Sequence, residues 1–128
     1  MEQAETRILD LILRSLRERR ALCEVVLATY RVELTRTLNR MAGTGTEPGD
    51  LDHVYDLSER IAAAADAVGL ESIHDDAVAL RACTARAVEQ GGGKRVEGAL
   101  LVAGLKVIDR ILDTASVGRK PDAQPMLS

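Results

Sequence analysis

Residues that interrupt regular secondary structure are confined to three short places before position 118, and this spacing limits the possible folds. They are the glycine-rich residues 43–50, the single Gly69 and residues 91–94. Apolar residues in the long segments between them recur at steps of three and four, without the alternation that is typical of strands. The chain is therefore predicted to be all-α. The predicted helices span residues 3–42, 51–68, 70–90 and about 95–115.

The last three of these helices are joined by short links, which make neighbouring helices antiparallel. The sequence predicts an up-down antiparallel four-helix bundle over residues 1–117, with a long N-terminal helix. Its 128 residues suffice for one domain with a single modest core. Residues 118–128 contain Pro121 and Pro125 and few apolar side chains, so we expect a disordered tail there.

The second helix has the clearest boundaries and the clearest buried face. Asp50 is predicted to be its N-cap, and Gly69 the first residue after its end. Glu59 lies two residues before Ile61, about 200° around the helix at ~100° per residue, and is predicted to face solvent. The exposed side should also include Ala62, Ala63 and Asp66. The predicted buried residues are Leu51, Val54, Leu57, Ile61, Ala65 and Val68.

The third and fourth helices each carry one buried stripe. The fourth helix has apolar residues on two adjacent rows and is expected to be central. For the third helix the predicted buried residues are Ile73, Ala77, Leu80, Thr84 and Ala87. For the fourth they are Leu101, Leu105, Ile108 and Leu112 in one row, widened by Leu100, Val107 and Ile111.

A first helix of forty residues is long for a small domain, which favours a break near Arg19 and Arg20. Its N-terminal extension, residues 3–20, contains Arg14 and Arg17 as well, so it is either a partner- or membrane-surface helix or a solvated basic face. The apolar stripe of the extension must be buried somewhere, and a second copy of the chain would bury it. We therefore predict a homodimer through residues 5–20. The predicted dimerisation residues are Ile8, Leu9, Ile12, Leu13 and Leu16.

Composition argues against several classes of function. A net charge of −3 and only two aromatic residues, Tyr30 and Tyr55, argue against nucleic-acid binding. No apolar run is long enough to span a bilayer and no secretory signal is visible, so we expect a cytoplasmic protein without integral membrane association. Cys23 and Cys83 lack ligand-type spacing and are interpreted as small buried apolar residues.

Residues 49–69 resemble the centre of a histidine phosphotransfer (HPt) domain. In that family a Gly-Asp turn leads into a helix with the motif His-x-Leu-Lys-Gly, and a glycine ends the helix ten residues after the His. Gly49, Asp50 and Gly69 fit this spacing, which puts Glu59 in the His position. The Leu, Lys and Gly positions hold Ile61, Ala62 and Ala63. The wider resemblance covers about residues 31–112.

The resemblance implies a docking scaffold that has lost its phosphoryl carrier. Family members pass a phosphoryl group between receiver domains on an exposed His, and Glu59 cannot form that phosphoramidate. The expected role is a non-catalytic interaction protein of two-component signalling that docks a receiver or histidine-kinase domain, without cofactors. A carboxylate at this position crudely resembles the charge of a phosphorylated His. The residues of the expected docking face are Tyr55, Asp56, Glu59, Ala62, Ala63 and Asp66.

Two other interpretations stay open. His74 precedes Asp75, as in the phosphoacceptor box of some histidine-kinase helices, so His74, or else His53, could be the acceptor of a genuine phosphotransfer protein. Alternatively the chain is a structural or chaperone-like helical subunit that acts through its first helix. His53 and Asp56 could contact a metal, but two ligands do not form a site, so no metal is expected. No nucleophile–base signature supports an enzyme.

Overall fold

The computed structural model describes residues 2–91 and 94–119, with side chains described for residues 5–91 and 97–114. These residues form four α-helices: α1 Glu2–Thr44, α2 Asp50–Ala67, α3 Glu71–Gln90 and α4 Lys94–Arg119. No strand occurs within the described ranges, so the predicted all-α fold with a long N-terminal helix is confirmed. Gly118 and Arg119 belong to α4, and the rest of the predicted tail lies outside the described residues.

Each helix packs on two neighbours. α1 contacts α2 and α4, α3 also contacts α2 and α4, and in the described part of the chain the diagonal pairs stay apart. The expectation that α4 is central is therefore wrong, because the four helices surround one shared core. The fully buried large side chains at its centre are Leu27, Leu34, Val54, Leu57, Ile61, Ile73, Leu80, Leu100 and Val107.

α1 is one continuous helix, so the predicted break near Arg19 and Arg20 is wrong. Its first buried side chain is Leu27, and every side chain from Glu5 to Leu22 is exposed. We call residues 5–26 the arm. From Leu27 onward α1 is about as long as α2, so only this second part of the helix belongs to the bundle.

The loop between α1 and α2 is closed by Asp50. Its carboxylate accepts hydrogen bonds from the Arg40 guanidinium and, at 2.6 Å, from the backbone N–H of Glu47. Asp50 is the first residue of α2 and the N-cap is Gly49, at φ 92°, so the prediction of an Asp50 cap is wrong. The side chain turns back toward the loop because Arg40 and the Glu47 N–H provide donors there.

Gly69 fulfils the predicted role after α2. Its φ of 72° lies in the left-handed region that favours glycine. The next residue, Leu70, donates its N–H to the carbonyl of Ala65 at 2.9 Å, which closes the end of the helix. The turn between α2 and α3 is therefore only three residues long, Val68 to Leu70, and the two helices run antiparallel.

The buried face of α3 is as predicted, but that of α4 is rotated by about one residue. Leu100, Val107 and Ile111 are buried, whereas Leu105 and Leu112 are 56% and 44% exposed. Gly104 lies between the buried rows, where a Cβ would overlap the side chain of Leu38 on α1. A close approach of α1 and α4 at this glycine sets the rotation of α4, and places Leu105 and Leu112 at its solvent edge.

Candidate functional site

The exposed face of α2 carries a row of carboxylates. Asp52, Asp56, Glu59 and Asp66 follow one another at steps of four, three and seven residues, which keeps them on one side of a helix. All four are exposed, as is Ala63 in the same row. We call these four acids the acidic row. Asp52 extends the predicted face by one turn, and its spacing could have revealed it from the sequence alone.

Glu59 is at the middle of the acidic row and has a cation from the next helix beside it. Its carboxylate is 4.0 Å from Nη1 of Arg81 on α3, and both side chains are roughly half to two-thirds removed from solvent. Such a long, partly exposed ion pair contributes little to stability. The carboxylate of Glu59 is therefore available to a competing cation from a binding partner.

Asp56 forms the tighter ion pair of this face. Nε of Arg60 donates to its carboxylate at 2.9 Å, one helical turn away. The Tyr30 hydroxyl and the Asp56 carboxylate together hold the pKa of Arg60 above its usual value. Arg60 and Arg81 thus flank the acidic row. Arg60 could have been found from its spacing to Asp56, whereas Arg81 comes from another helix and could not.

Two members of the predicted docking face are less accessible than expected. Ala62 is only 6% exposed and belongs to the core, so its predicted exposure is wrong. Ala62 lies one helical turn after the buried Ser58. The contact of α2 with α3 is the most extensive between any two described helices, and the small size of Ala62 permits close packing there. Tyr55 is half-buried at the same edge. The accessible part of the predicted face consists of Asp56, Glu59, Ala63 and Asp66.

His74, the alternative phosphoacceptor, lies in the first turn of α3. Its Nδ1 is 3.4 Å from the carboxylate of Asp75, and its side chain is 38% exposed. This contact leaves Nε2 directed away from Asp75 as a candidate nucleophile. Asp76 follows Asp75, and its carboxylate accepts a hydrogen bond of 2.9 Å from Nε of Arg110 on α4. His74 and Glu59 lie on different helices, and among the described side chains no hydrogen bond or ion pair joins them.

His53 has a carboxylate neighbour from α1. Its Nε2 is 3.9 Å from the carboxylate of Glu33, an ion pair only when the imidazole is protonated. Among the described residues no group of three or more His, Cys, Asp or Glu side chains is arranged to hold a metal ion. Neither Cys23 nor Cys83 is in a disulfide, and both are partly exposed instead of buried as predicted.

Comparison with known proteins adds no relative. No family model matches the chain, and no match was found among curated proteins or solved structures. The resemblance to HPt domains therefore depends on the residues quoted above and stays a prediction. Within residues 2–91 and 94–119, no helix combines the length and the apolar character that crossing a membrane requires.

Proposed function

We propose that this chain is a non-catalytic docking module of the HPt type, which binds a receiver or histidine-kinase domain through the exposed face of α2. The observation that carries the proposal is the position of Glu59. It occupies the His position of the HPt spacing, half exposed at the middle of an acidic row, on the second helix of an up-down bundle. Ala63, one turn later, is small and exposed, which leaves room for a partner surface.

The proposed module acts by binding its partner and catalyses no reaction. A module that binds one signalling state of its partner more tightly than another shifts the partner toward that state, without making or breaking a bond. The acidic row suits a partner surface that presents Lys or Arg side chains, and such a surface would replace Arg81 beside Glu59. Because these charges are exposed, we expect the affinity to fall as the salt concentration rises.

The test is incubation of the purified chain with a panel of phosphorylated receiver domains and of histidine-kinase domains, followed by native gels for complex formation and by detection of phosphate on each protein. Complex formation without phosphate transfer is the expected result. A chain that binds no receiver and no histidine-kinase domain in the panel contradicts the proposal.

A genuine phosphotransfer protein is the second candidate, favoured by the contact of Asp75 with His74. A carboxylate on Nδ1 orients the imidazole and raises the nucleophilicity of Nε2. In the same experiment this candidate requires acid-labile, base-stable phosphate on the chain, and loss of that phosphate in a His74→Gln variant. Phosphate that persists in His74→Gln but disappears in His53→Gln would identify His53 as the acceptor.

A further inference from the structure

The arm presents an apolar surface that the other described residues leave uncovered. Its exposed large aliphatic side chains have exposed fractions of 49–64%, although the bundle next to it has a well-formed core. A contiguous surface of this kind on a protein marks a contact with a partner. The side chains that form the stripe are Ile8, Leu9, Ile12, Leu13 and Leu16.

The stripe points in the same direction as the core-facing side of α1. Eighteen residues, five turns at 3.6 residues per turn, separate Leu9 from Leu27 and Leu16 from Leu34. Leu27 and Leu34 are 2% and 0% exposed because they lie in the shared core of the bundle. The stripe continues that face past the end of the bundle, where its side chains are exposed.

The charges of the arm change sign along its length. Two acids, Glu5 and Asp10, and one base, Arg7, occupy residues 5–10 of the arm, whereas residues 14–26 contain four arginines and two acids, Glu18 and Glu24. The first part is therefore net acidic and the second net basic, with the centre of the apolar stripe between them. Two such helices attract each other when they run antiparallel, because acidic and basic parts then face each other at both ends.

We propose that the arms of two copies of this chain pair antiparallel, stripe against stripe, to form a homodimer. The arrangement is isologous: each copy presents the same surface, and a two-fold axis passes near Ile12 and Leu13. Each arm packs on the stripe of the other copy. It thereby adds a second helix to the core-facing side of that copy's α1, beyond the end of its bundle. The two bundles stand at opposite ends of the pair.

Parallel pairing is disfavoured on two grounds. It aligns Arg14, Arg17, Arg19 and Arg20 of one copy with the same residues of the other. In addition, α1 is continuous through Thr44, so a parallel second α1 on this face would collide with α2 and α4 beyond Leu27. In the antiparallel arrangement Glu5 of one copy faces Arg20 of the other, seven residues before the bundle begins at Leu27. The arm spans about 30 Å at 1.5 Å per residue, enough for several layers of side chains.

The first test is the mass of the full chain in solution, by sedimentation equilibrium. The expected mass is twice the 13.8 kDa of the monomer. Leu13→Glu and Leu16→Glu should each weaken self-association by roughly 30-fold or more, as loss of an interface hot spot does. Leu11→Glu is the matched control, because Leu11 is 60% exposed and lies on the other side of the helix.

Circular dichroism of each variant checks that the bundle is still folded. A monomeric wild-type chain overturns the proposal, including one whose arm binds vesicles of anionic lipid instead. A dimer that persists in both Leu13→Glu and Leu16→Glu also overturns it. Neither result bears on docking through α2, because Glu59 and the arm are separate surfaces, so this inference and the proposed function can fail independently.

The second test measures the orientation of the arms. Cys23, with Cys83 replaced by Ser, provides one labelling site per arm for a spin label. Cys23 is about ten residues from the proposed two-fold axis, so antiparallel pairing separates the two labels by about 30 Å, whereas parallel pairing brings them within about 10 Å. A pulsed electron paramagnetic resonance distance near the longer value supports the proposal, and one near the shorter value contradicts it.

The third test exchanges the charges. Arg17→Glu combined with Arg20→Glu makes both parts of the arm acidic and should weaken the dimer. Adding Glu5→Arg and Asp10→Arg restores one acidic and one basic part in reversed order, so dimerisation should return. If the fourfold variant associates no better than the double variant, the charge argument for antiparallel pairing is wrong.

Discussion

At the scale of single residues, Glu59 is the side chain on which the docking proposal depends most directly. Reversing its charge in a Glu59→Lys variant should weaken binding to an identified receiver or kinase domain by about tenfold, or ~1.4 kcal/mol. Stability should change by less than about 0.5 kcal/mol, because Glu59 is exposed and its ion pair with Arg81 is long. Calorimetric titration and urea unfolding measure the two effects.

Asp109→Lys is the matched control, because Asp109 is also an exposed acid in the middle of a helix, on α4. It should leave the affinity unchanged. Equal losses in Glu59→Lys and Asp109→Lys would mean that only the net charge of the chain matters, and Glu59 would lose its special role.

Asp50 gives the bundle a specific dependence on pH. Burial works to raise the pKa of its carboxyl, but the Glu47 N–H and the Arg40 guanidinium outweigh burial and hold the pKa below its usual value. A carboxyl with a lowered folded-state pKa contributes stability that is present above its unfolded pKa, about 3.9, and is lost as the pH falls through the folded pKa. Acidification below about pH 4 should therefore lower the free energy of unfolding.

An Asp50→Asn variant separates this contribution from the other carboxylates. At pH 7 it should be less stable than wild type by roughly 1–2 kcal/mol, a moderate figure because Arg40 is partly exposed. The difference should shrink as the pH falls below about 4. Asp52→Asn, two residues away and exposed, should follow the wild-type profile. A pH-independent difference in urea unfolding would show that Asp50 acts through its shape alone.

At the scale of helices, the sequence predicts the buried face of a helix when only one face is apolar, and fails to do so when two adjacent faces are apolar. α3 has one narrow apolar stripe, so Ile73, Leu80 and Ala87 could only face the core, and they do. α4 has two adjacent apolar rows, and its periodicity cannot choose between them. The contact of Gly104 with Leu38 on α1 makes the choice. The predicted exposure of Ala62 is wrong for a related reason: an alanine fits a buried or an exposed position equally well, so the sequence does not reveal that α3 packs against it.

Two glycines of α4, Gly98 and Gly104, test this account of helix packing. A glycine within a helix costs about 0.5–1 kcal/mol relative to alanine. Gly98 has open space around its Cβ position, so Gly98→Ala should stabilise the protein by about that amount. Gly104→Ala should bring no gain, or destabilise by about 1 kcal/mol or more, because the new methyl group overlaps Leu38.

Urea unfolding of the two glycine variants under identical conditions measures the difference. The Gly98 variant serves as the control for helix propensity, because both residues lie in α4. Equal stabilisation of both variants would mean that α1 and α4 are not in close contact at Gly104, and the explanation for the rotated face of α4 would be withdrawn.

At the scale of the whole molecule, the two surfaces for which binding is proposed, the acidic row on α2 and the apolar stripe of the arm, are separate. The sequence identified the stripe because five large aliphatic residues at helical spacing are conspicuous without any knowledge of tertiary structure. It did not indicate that α1 is unbroken, which determines where the stripe points. A continuous helix couples the arm rigidly to the bundle, so dimerisation and folding of the bundle should be linked.

This linkage predicts that the stability of the full chain rises with its concentration. A partner that binds the folded chain and not the unfolded one stabilises the fold by an amount that grows with the logarithm of its concentration above Kd, so the melting temperature should increase between micromolar and hundred-micromolar protein. Leu13→Glu should abolish the dependence, and Leu11→Glu should retain it. Circular dichroism at a series of concentrations measures it. A melting temperature independent of concentration, in a chain that sediments as a dimer, would show that the arm unfolds separately from the bundle despite the continuous helix.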